Sequence, residues 1–328
     1  LLDSGHYPAG EYVLLHEGTG EFDIGWDATV TSTQPGRLTL DVVPDEGIHL
    51  KLIATDPGDP VRDIRFVMPG YEGLFESEPF HPLFLERLAP FAALRFMDWQ
   101  ETNDSPVAHW AERTTLDHAN QSGEAGVAPE LMIQLANTLH ADPWFCMPHL
   151  ADDDFVTQFA TMVRDQLDPG LVVYVEYSNE VWNGQFGQAG YAMQQGLDLG
   201  LSANDHEARL RYYSQRSVEI FGLWEQAFGG SERLVRVLAS QSANPWTSEQ
   251  VMDFEDAYQH ADALGIAPYF GNALGNPKTQ NDVAQTTVDD VLDRCAEYIR
   301  EGNETIATQA RLANERGLRL VAYEAGQH

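Results

Sequence analysis

The chain has 328 residues, 43% of them hydrophobic, which is enough for one large domain, or for one large and one small domain. Its formal net charge is −32, with 51 acidic residues against 19 basic ones, and a surface this acidic argues against binding to nucleic acid or to anionic membranes. Such a surface keeps a protein hydrated in concentrated salt, so we expect a halophilic or marine source, with an ordinary acidic protein as the alternative.

Membrane spans and targeting segments are not visible in the sequence. No apolar run reaches the roughly 18 residues that a membrane span needs. The sequence begins with neither an initiator methionine nor a signal peptide, as in a mature or trimmed chain. Secretion is neither shown nor excluded by this, and we expect a secreted or extracellular protein.

Residues 1–75 predict a β-rich accessory domain, built as a small antiparallel sandwich or sheet, or else an insertion into the domain that follows. Short apolar runs, some of them alternating, are separated by turn signals such as Gly18-Thr19-Gly20 and Gln34-Pro35-Gly36. The predicted strands are 11–16, 22–31, 37–43, 48–54 and 61–67.

Residues 76–328 predict a second domain in which strands alternate with helices, as is typical of βα units. This pattern predicts an α/β fold of the (β/α)8 TIM-barrel class. Since a closed barrel needs eight strands and the pattern contains six, the barrel could be incomplete in this chain. Two helices near the C-terminus, 287–300 and 304–315, are predicted to be separated near Gly302. The predicted strands are 92–99, 143–148, 171–177, 233–239, 264–267 and 318–323.

The strand 171–177 is followed by an abrupt change from apolar to polar residues, with Asn179, Glu180 and Trp182 just beyond its end. The C-terminal ends of parallel strands carry the chemistry of barrel enzymes. Glu180 is therefore a candidate catalytic residue. The alternative is a structural glutamate that pairs with an arginine.

A second carboxylate, Glu324, ends the last predicted strand. Hydrolysis of a glycosidic bond needs such a pair, because one group protonates the leaving oxygen while the other attacks or stabilises the developing positive charge. Ends of different barrel strands meet at one face, so Glu180 and Glu324 are expected to lie close together. In the retaining mechanism the two carboxyl groups are about 5–5.5 Å apart.

Asn179-Glu180 at a fourth strand and Glu324 at a seventh resemble the pattern of the clan A glycoside hydrolases, which are retaining (β/α)8 enzymes. The resemblance covers roughly residues 80–328. It implies that Glu180 is the acid/base, that Glu324 is the nucleophile, and that Asn179 binds the sugar hydroxyl next to the anomeric carbon. The family's usual tryptophan on an eighth strand has no counterpart, because the chain ends first.

The resemblance also implies roles for Arg95, Tyr269 and His149. Arg95, on the second strand, would keep the nucleophile ionised, since a neighbouring cation lowers the pKa of a carboxyl group. Tyr269 would contact the nucleophile through its hydroxyl, and His149 would lie in the substrate site. The alternatives are that Arg95 pairs with Asp98 for stability, that His149 packs inside the fold, and that Tyr269 lies at the rim.

Further candidate substrate-binding residues fall at or just beyond predicted strand ends. Aromatic faces suit the apolar faces of sugar rings, which points to Trp99, Trp182 and Trp246. Asp98 and Asn103 are candidates for hydrogen bonds to sugar hydroxyls.

Together these residues predict a retaining glycoside hydrolase that cleaves a β-linked polysaccharide or oligosaccharide by double displacement, with no cofactor and no metal. Its partner would be the carbohydrate substrate, and neither the sugar, the linkage nor the oligomeric state is indicated. One alternative is a non-catalytic carbohydrate-binding protein whose β-rich region is the binding module. The other is a metal-dependent hydrolase on a TIM barrel, although no His-x-His or His-Glu-x-x-His motif is present. Its ligands would come from His149, residues 152–154, Glu180, Glu324 and His328.

Overall fold

A computed structural model describes residues 7–327 of the chain. The chain divides into two compact units between Arg87 and Leu88, which we call the N-terminal unit and the C-terminal unit. This division lies further along the chain than the boundary that the sequence predicts between residues 75 and 76.

The N-terminal unit is built from antiparallel strands. They are β1 (Gly10–Glu17), β2 (Gly20–Trp26), β3 (Ala28–Gln34), β4 (Arg37–Val42), β5 (Ile48–Thr55) and β6 (Arg62–Val67). A four-stranded sheet has the order β3-β4-β1-β6, and β2 pairs with β5. Tyr12 lies opposite Leu40, and Leu14 opposite Leu38, in the register of β1 against β4. These four side chains are buried and form part of the core of the unit, because facing residues of paired strands lie on one side of the sheet.

The predicted strand 22–31 is wrong as a continuous element, because the chain turns at Asp27 between β2 and β3. Trp26 has a φ of 62°, in the left-handed region that is costly for a large side chain. The carboxylate of Asp27 accepts hydrogen bonds from the backbone N–H groups of Glu46 and Gly47, both at 3.0 Å, and from the hydroxyl of Tyr7. These long-range bonds hold a turn that the local apolar pattern does not encode.

Strands and helices alternate through most of the C-terminal unit, and helix α1 (Pro82–Leu88) contains the division between the units. The strands that follow are β7 (Ala93–Arg95), β8 (Asp142–Met147), β9 (Val173–Tyr177), β10 (Leu234–Ala239), β11 (Ala263–Ile266), β12 (Tyr269–Phe270), β13 (Arg319–Ala322) and β14 (Gly326–Gln327). The helices are α2 (Pro129–Leu139), α3 (Asp153–Gln166), α4 (Gly187–Asp198), α5 (Asp205–Phe228), α6 (Pro245–Asp253), α7 (Asn272–Gly275), α8 (Gln280–Val283) and α9 (Val288–Glu315), with 3-10 turns at Trp110–Glu112 and Phe254–His260. None of these helices, which lie within residues 7–327, is both long and apolar enough to cross a membrane.

Six strands form one parallel sheet in the order β13-β11-β10-β9-β8-β7, and they include all six strands predicted for this unit. The prediction of an eight-stranded TIM barrel is nevertheless wrong. Within residues 7–327, β7 pairs only with β8 and β13 only with β11, so both outer edges of the sheet are open. Alternating strands and helices specify parallel neighbours, but closure also requires the two edge strands to be joined by further strands at the right tilt and stagger.

An aromatic cluster covers one face of this sheet and supports β8 and β9. Phe145 on β8, Phe159 on α3 and Trp224 on α5 are almost completely buried. The ring centroids of Phe145 and Phe159 are 5.0 Å apart in an edge-to-face arrangement, and those of Phe159 and Trp224 are 6.0 Å apart. Such pairs stabilise a core beyond the area that they bury.

The predicted break near Gly302 is also wrong, because α9 runs without interruption for 28 residues. Its start is capped by Thr287, whose hydroxyl accepts the N–H of Asp290 at 3.1 Å, and its final turns bury Leu312 and Ala313. A glycine inside a helix costs about 1 kcal/mol relative to alanine. The cap and the buried turns outweigh that cost.

Candidate active site

The turn that follows β9 places Glu180 in an unusual backbone conformation. Ser178 and Glu180 have φ angles of 58° and 43°, in the left-handed region. The N–H of Asn183 donates to the carbonyl of Glu180 at 2.7 Å and closes a tight turn. Non-glycine residues held in this region cost free energy and cluster at functional sites, so the backbone marks this strand end as a candidate site.

The side chain of Glu180 accepts hydrogen bonds from two neutral donors. The hydroxyl of Tyr323 donates to Oε1 at 3.0 Å, and Nδ2 of Asn183 donates to Oε2 at 2.9 Å. Burial, together with the charge of Glu180, raises the pKa of Tyr323, so its phenol stays protonated. Sequence reasoning did not single out Tyr323, although it lies at the end of a strand directly before Glu324.

Arg95, at the end of β7, connects the ends of β9 and β13. Its Nη1 donates to Oε1 of Glu324 at 3.0 Å, and its Nη2 donates to Oδ1 of Asn179 at 2.9 Å. The predicted proximity of Arg95 to Glu324 is therefore observed. The alternative pairing with Asp98 is not, because the ion pairs of Arg95 within residues 7–327 are those with Glu176 and Glu324.

Glu176 anchors Arg95 from inside the sheet. Its side chain is fully buried and accepts from Nε and Nη2 of Arg95 at 3.0–3.2 Å and from the indole N–H of Trp144 at 2.9 Å. Burial raises the pKa of Glu176, and the guanidinium of Arg95 opposes that shift. Sequence reasoning missed this residue, although an acid inside the apolar strand 171–177 was a signal that a buried cation should be near.

Glu324 faces a cation and a phenol, whereas Glu180 faces neutral donors alone. The hydroxyl of Tyr269 donates to Oε2 of Glu324, while Arg95 donates to the other carboxylate oxygen. Burial and this hydrogen bond to Glu324 raise the pKa of Tyr269. The contact accompanies the short parallel pairing of β12 with β14, which form a separate two-stranded sheet and follow β11 and β13 in the chain.

Asn179 is held by a network of amides. It is 2% exposed, and its Nδ2 donates to Oδ1 of Asn103 at 3.0 Å. Gln188, which sequence reasoning missed, donates to the same oxygen of Asn103 at 2.7 Å and to the carbonyl of Asn179 at 2.9 Å. Since Arg95 also bonds Asn179, this side chain has one fixed orientation beside the two glutamates.

Glu180 and Glu324 both line a cleft of about 990 Å³ on the C-terminal side of the strands. The predicted residues Trp182 and Tyr269 line it as well, and so does Asn183, which was not among the predicted site residues. Part of α9 forms another wall, at Gly302 and its neighbours, which sequence reasoning did not assign to the site.

The other predicted substrate residues, among them Arg95, Asn179 and Asn103, do not line this cleft. His149 is 8% exposed, its ring contacts that of Tyr191, and burial lowers its pKa. Trp99 packs on Phe96, and Asp98 is exposed in a turn. Trp246, on α6, is 38% exposed, and its ring stacks on the ring of His206 on α5.

A metal centre is not formed by the described residues. Within residues 7–327, no group of three or more His, Cys, Asp or Glu side chains is arranged to hold a metal ion. His328, which the metal-hydrolase alternative includes, lies outside the described residues.

No protein-family model, no curated protein and no solved structure matches this chain. The resemblance to the clan A glycoside hydrolases therefore stays a prediction, carried by the residues named above.

Proposed function

We propose that the protein is a retaining glycoside hydrolase in which Glu324 is the nucleophile and Glu180 the acid/base. The observation that carries this proposal is the difference between the two carboxyl groups at the cleft. A carboxylate paired with a cation suits a nucleophile, whereas a carboxyl group among neutral donors suits a group that gives and takes a proton.

In the first step, the proton of Glu180 passes to the glycosidic oxygen as a carboxylate oxygen of Glu324 attacks the anomeric carbon. The bond from that carbon to the leaving oxygen breaks, and the sugar becomes esterified to Glu324. In the second step, Glu180 takes a proton from water, and the water oxygen attacks the anomeric carbon. The ester breaks and both side chains return to their starting states, so the anomeric configuration is retained.

The surrounding residues support this assignment. Arg95 and Tyr269 donate to different oxygens of Glu324 and fix the plane of its carboxylate. Asn179, directly before Glu180, is fixed by hydrogen bonds to Arg95 and Asn103 and so ties the turn that carries Glu180 to the arginine that bonds Glu324. Trp182 offers an aromatic face in the same cleft.

Azide rescue tests the proposal. A panel of β-linked glycans with good leaving groups is assayed with the parent protein, with Glu324→Ala and with Glu180→Ala. We expect Glu324→Ala to be inactive until azide occupies the vacated space, giving a glycosyl azide of inverted configuration. Glu180→Ala should lose about 10²–10⁴-fold in rate, and azide should then give the retained configuration.

The matched control is Glu219→Ala, which removes an exposed glutamate of α5 that pairs with Arg216. It should leave the rate unchanged. Cleavage by Glu324→Ala at the parent rate would contradict the nucleophile assignment. A parent protein that binds glycans of the panel and never cleaves them would instead be a carbohydrate-binding protein.

A further inference from the structure

The described residues that line the cleft include acidic side chains and no basic ones. Among the described residues that line it, Glu180 and Glu324 are acidic, and none is a lysine, an arginine or a histidine. Two arginines contact residues of the site, and both donate to protein oxygens. Arg95 bonds Glu324, and Arg209 donates to the carbonyl of Trp182 at 3.2 Å.

Carboxamides supply most of the remaining polarity of the cleft. Gln241, Asn272 and Asn303 line it, and within residues 7–327 their side chains form no hydrogen bond. A carboxamide both donates and accepts, as does a sugar hydroxyl, so these groups match an uncharged polyol. Tyr298 and Phe270 add aromatic surface on which a pyranose can stack.

The cleft continues into a second hollow of about 630 Å³, because Tyr269, Phe270, Asn272 and Tyr298 line both. Glu301 brings another negative charge there, and no described residue that lines this hollow is a cation. Sites for small molecules are about 300–1,000 Å³. The two spaces together, at about 990 and 630 Å³, therefore suit a chain of several sugars better than a single one.

The cleft and the second hollow together form what we call the groove. On the basis of the glycoside hydrolysis proposed above, we propose that this groove binds an uncharged polysaccharide chain and rejects glycans that carry carboxylate or sulfate groups. An anionic sugar would bring its charge beside Glu324 or Glu301, and no described residue that lines either space is a cation. Arg95, which bonds Glu324, is already paired with Glu176 and Glu324. A partly desolvated charge without a partner is costly, and repulsion against the wrong ligand is a common source of specificity.

Matched substrates test this proposal. Neutral β-glucan, β-xylan and β-mannan are assayed beside β-linked polyuronates, the carboxyl-reduced forms of those polyuronates, and carboxymethylated derivatives of the neutral polymers. The assay is run in about 1 M NaCl, where a screening length of about 3 Å removes the long-range repulsion from the acidic surface. We expect kcat/KM for the best neutral polymer to exceed that for its carboxymethylated derivative by at least about tenfold.

Two variants that each add one positive charge distinguish an effect of charge in the groove from an effect of charge elsewhere on the surface. Asn303→Lys places a cation on the wall that α9 contributes, whereas Asn314→Lys adds the same charge to an exposed position of that helix outside the groove. We expect the preference for the neutral polymer to fall at least about threefold in Asn303→Lys and to stay at the parent value in Asn314→Lys.

The outcomes distinguish this inference from the proposed function. Cleavage of an anionic polymer as fast as its neutral counterpart overturns the inference and leaves the glycosidase assignment standing. Binding of neutral but not anionic polymers, with no cleavage of any, supports the selectivity and overturns the glycosidase assignment. Neither binding nor cleavage of any polymer overturns both.

Discussion

Replacing Glu176 with glutamine is expected to destabilise the C-terminal unit and to misplace Arg95. Glutamine keeps the shape of the side chain but removes its charge, and its amide group can point N–H donors at the guanidinium. The side chain of Glu176 is fully buried and that of Arg95 is 10% exposed, so water cannot replace the lost carboxylate.

The size of the effect follows from the pairing of Arg95. Removing one partner of a buried ion pair costs about 3–5 kcal/mol. Arg95 keeps its bond to Glu324, whose side chain is 29% exposed, so we expect the lower end, about 3 kcal/mol. With a urea dependence of about 3 kcal/mol per molar for a unit of this size, the unfolding midpoint should fall by about 1 M.

Tryptophan fluorescence during urea unfolding measures this midpoint, since all tryptophans except Trp26 lie in the C-terminal unit. The matched control is Glu219→Gln. Glu219 pairs with Arg216 at 2.9 Å but its side chain is 47% exposed, so its loss should cost about 0–1 kcal/mol. A midpoint for Glu176→Gln within about 0.3 M of the parent value, or a drop no larger than that of the control, would refute the reasoning.

Three further outcomes are expected. Tyr323→Phe removes the donor to Oε1 of Glu180 and should lower kcat about tenfold at an unchanged unfolding temperature; a parent-like rate would contradict a role for this contact. Burial raises the pKa of Asp27, but hydrogen bonds from Tyr7 and from the backbone N–H groups of residues 45–47 outweigh burial and lower this pKa to about 2. The stability that Asp27 contributes should therefore be present above about pH 4 and lost as pH falls towards 2, a loss that Asp27→Asn should abolish in pH-dependent thermal unfolding. Because the net charge is −32, the unfolding temperature should rise with NaCl towards about 1 M, and best stability in dilute buffer would contradict a halophilic origin.

The strands of the parallel sheet were predictable because each is a short apolar run with turn residues or helix signals on both sides. The predicted strand 171–177 contains β9, and the predicted strand 233–239 contains β10. The number of strands in the sheet was not predictable in this way. Whether β7 and β13 find partners at their outer edges depends on residues far away in the chain, and a local pattern contains no information on that pairing.

The break predicted near Gly302 failed for a related reason. Glycine is unfavourable in a helix, so a local pattern suggests an end there. The continuous α9 depends instead on its cap at Thr287 and on the packing of its last turns, of which only the cap can be seen from nearby residues. The same continuity brings Gly302 and Asn303 to the cleft.

The sequence by itself determined which residue types end the parallel strands, including Asn179, Glu180 and Glu324, because strand ends can be recognised from local apolar patterns. Only the tertiary structure decided what each of them touches. Arg95, on β7, donates hydrogen bonds to Glu176 inside the sheet and to Glu324. Tyr323 donates to Glu180. These contacts depend on the register and order of strands that are distant in the chain, and it is this arrangement that makes the two glutamates chemically different.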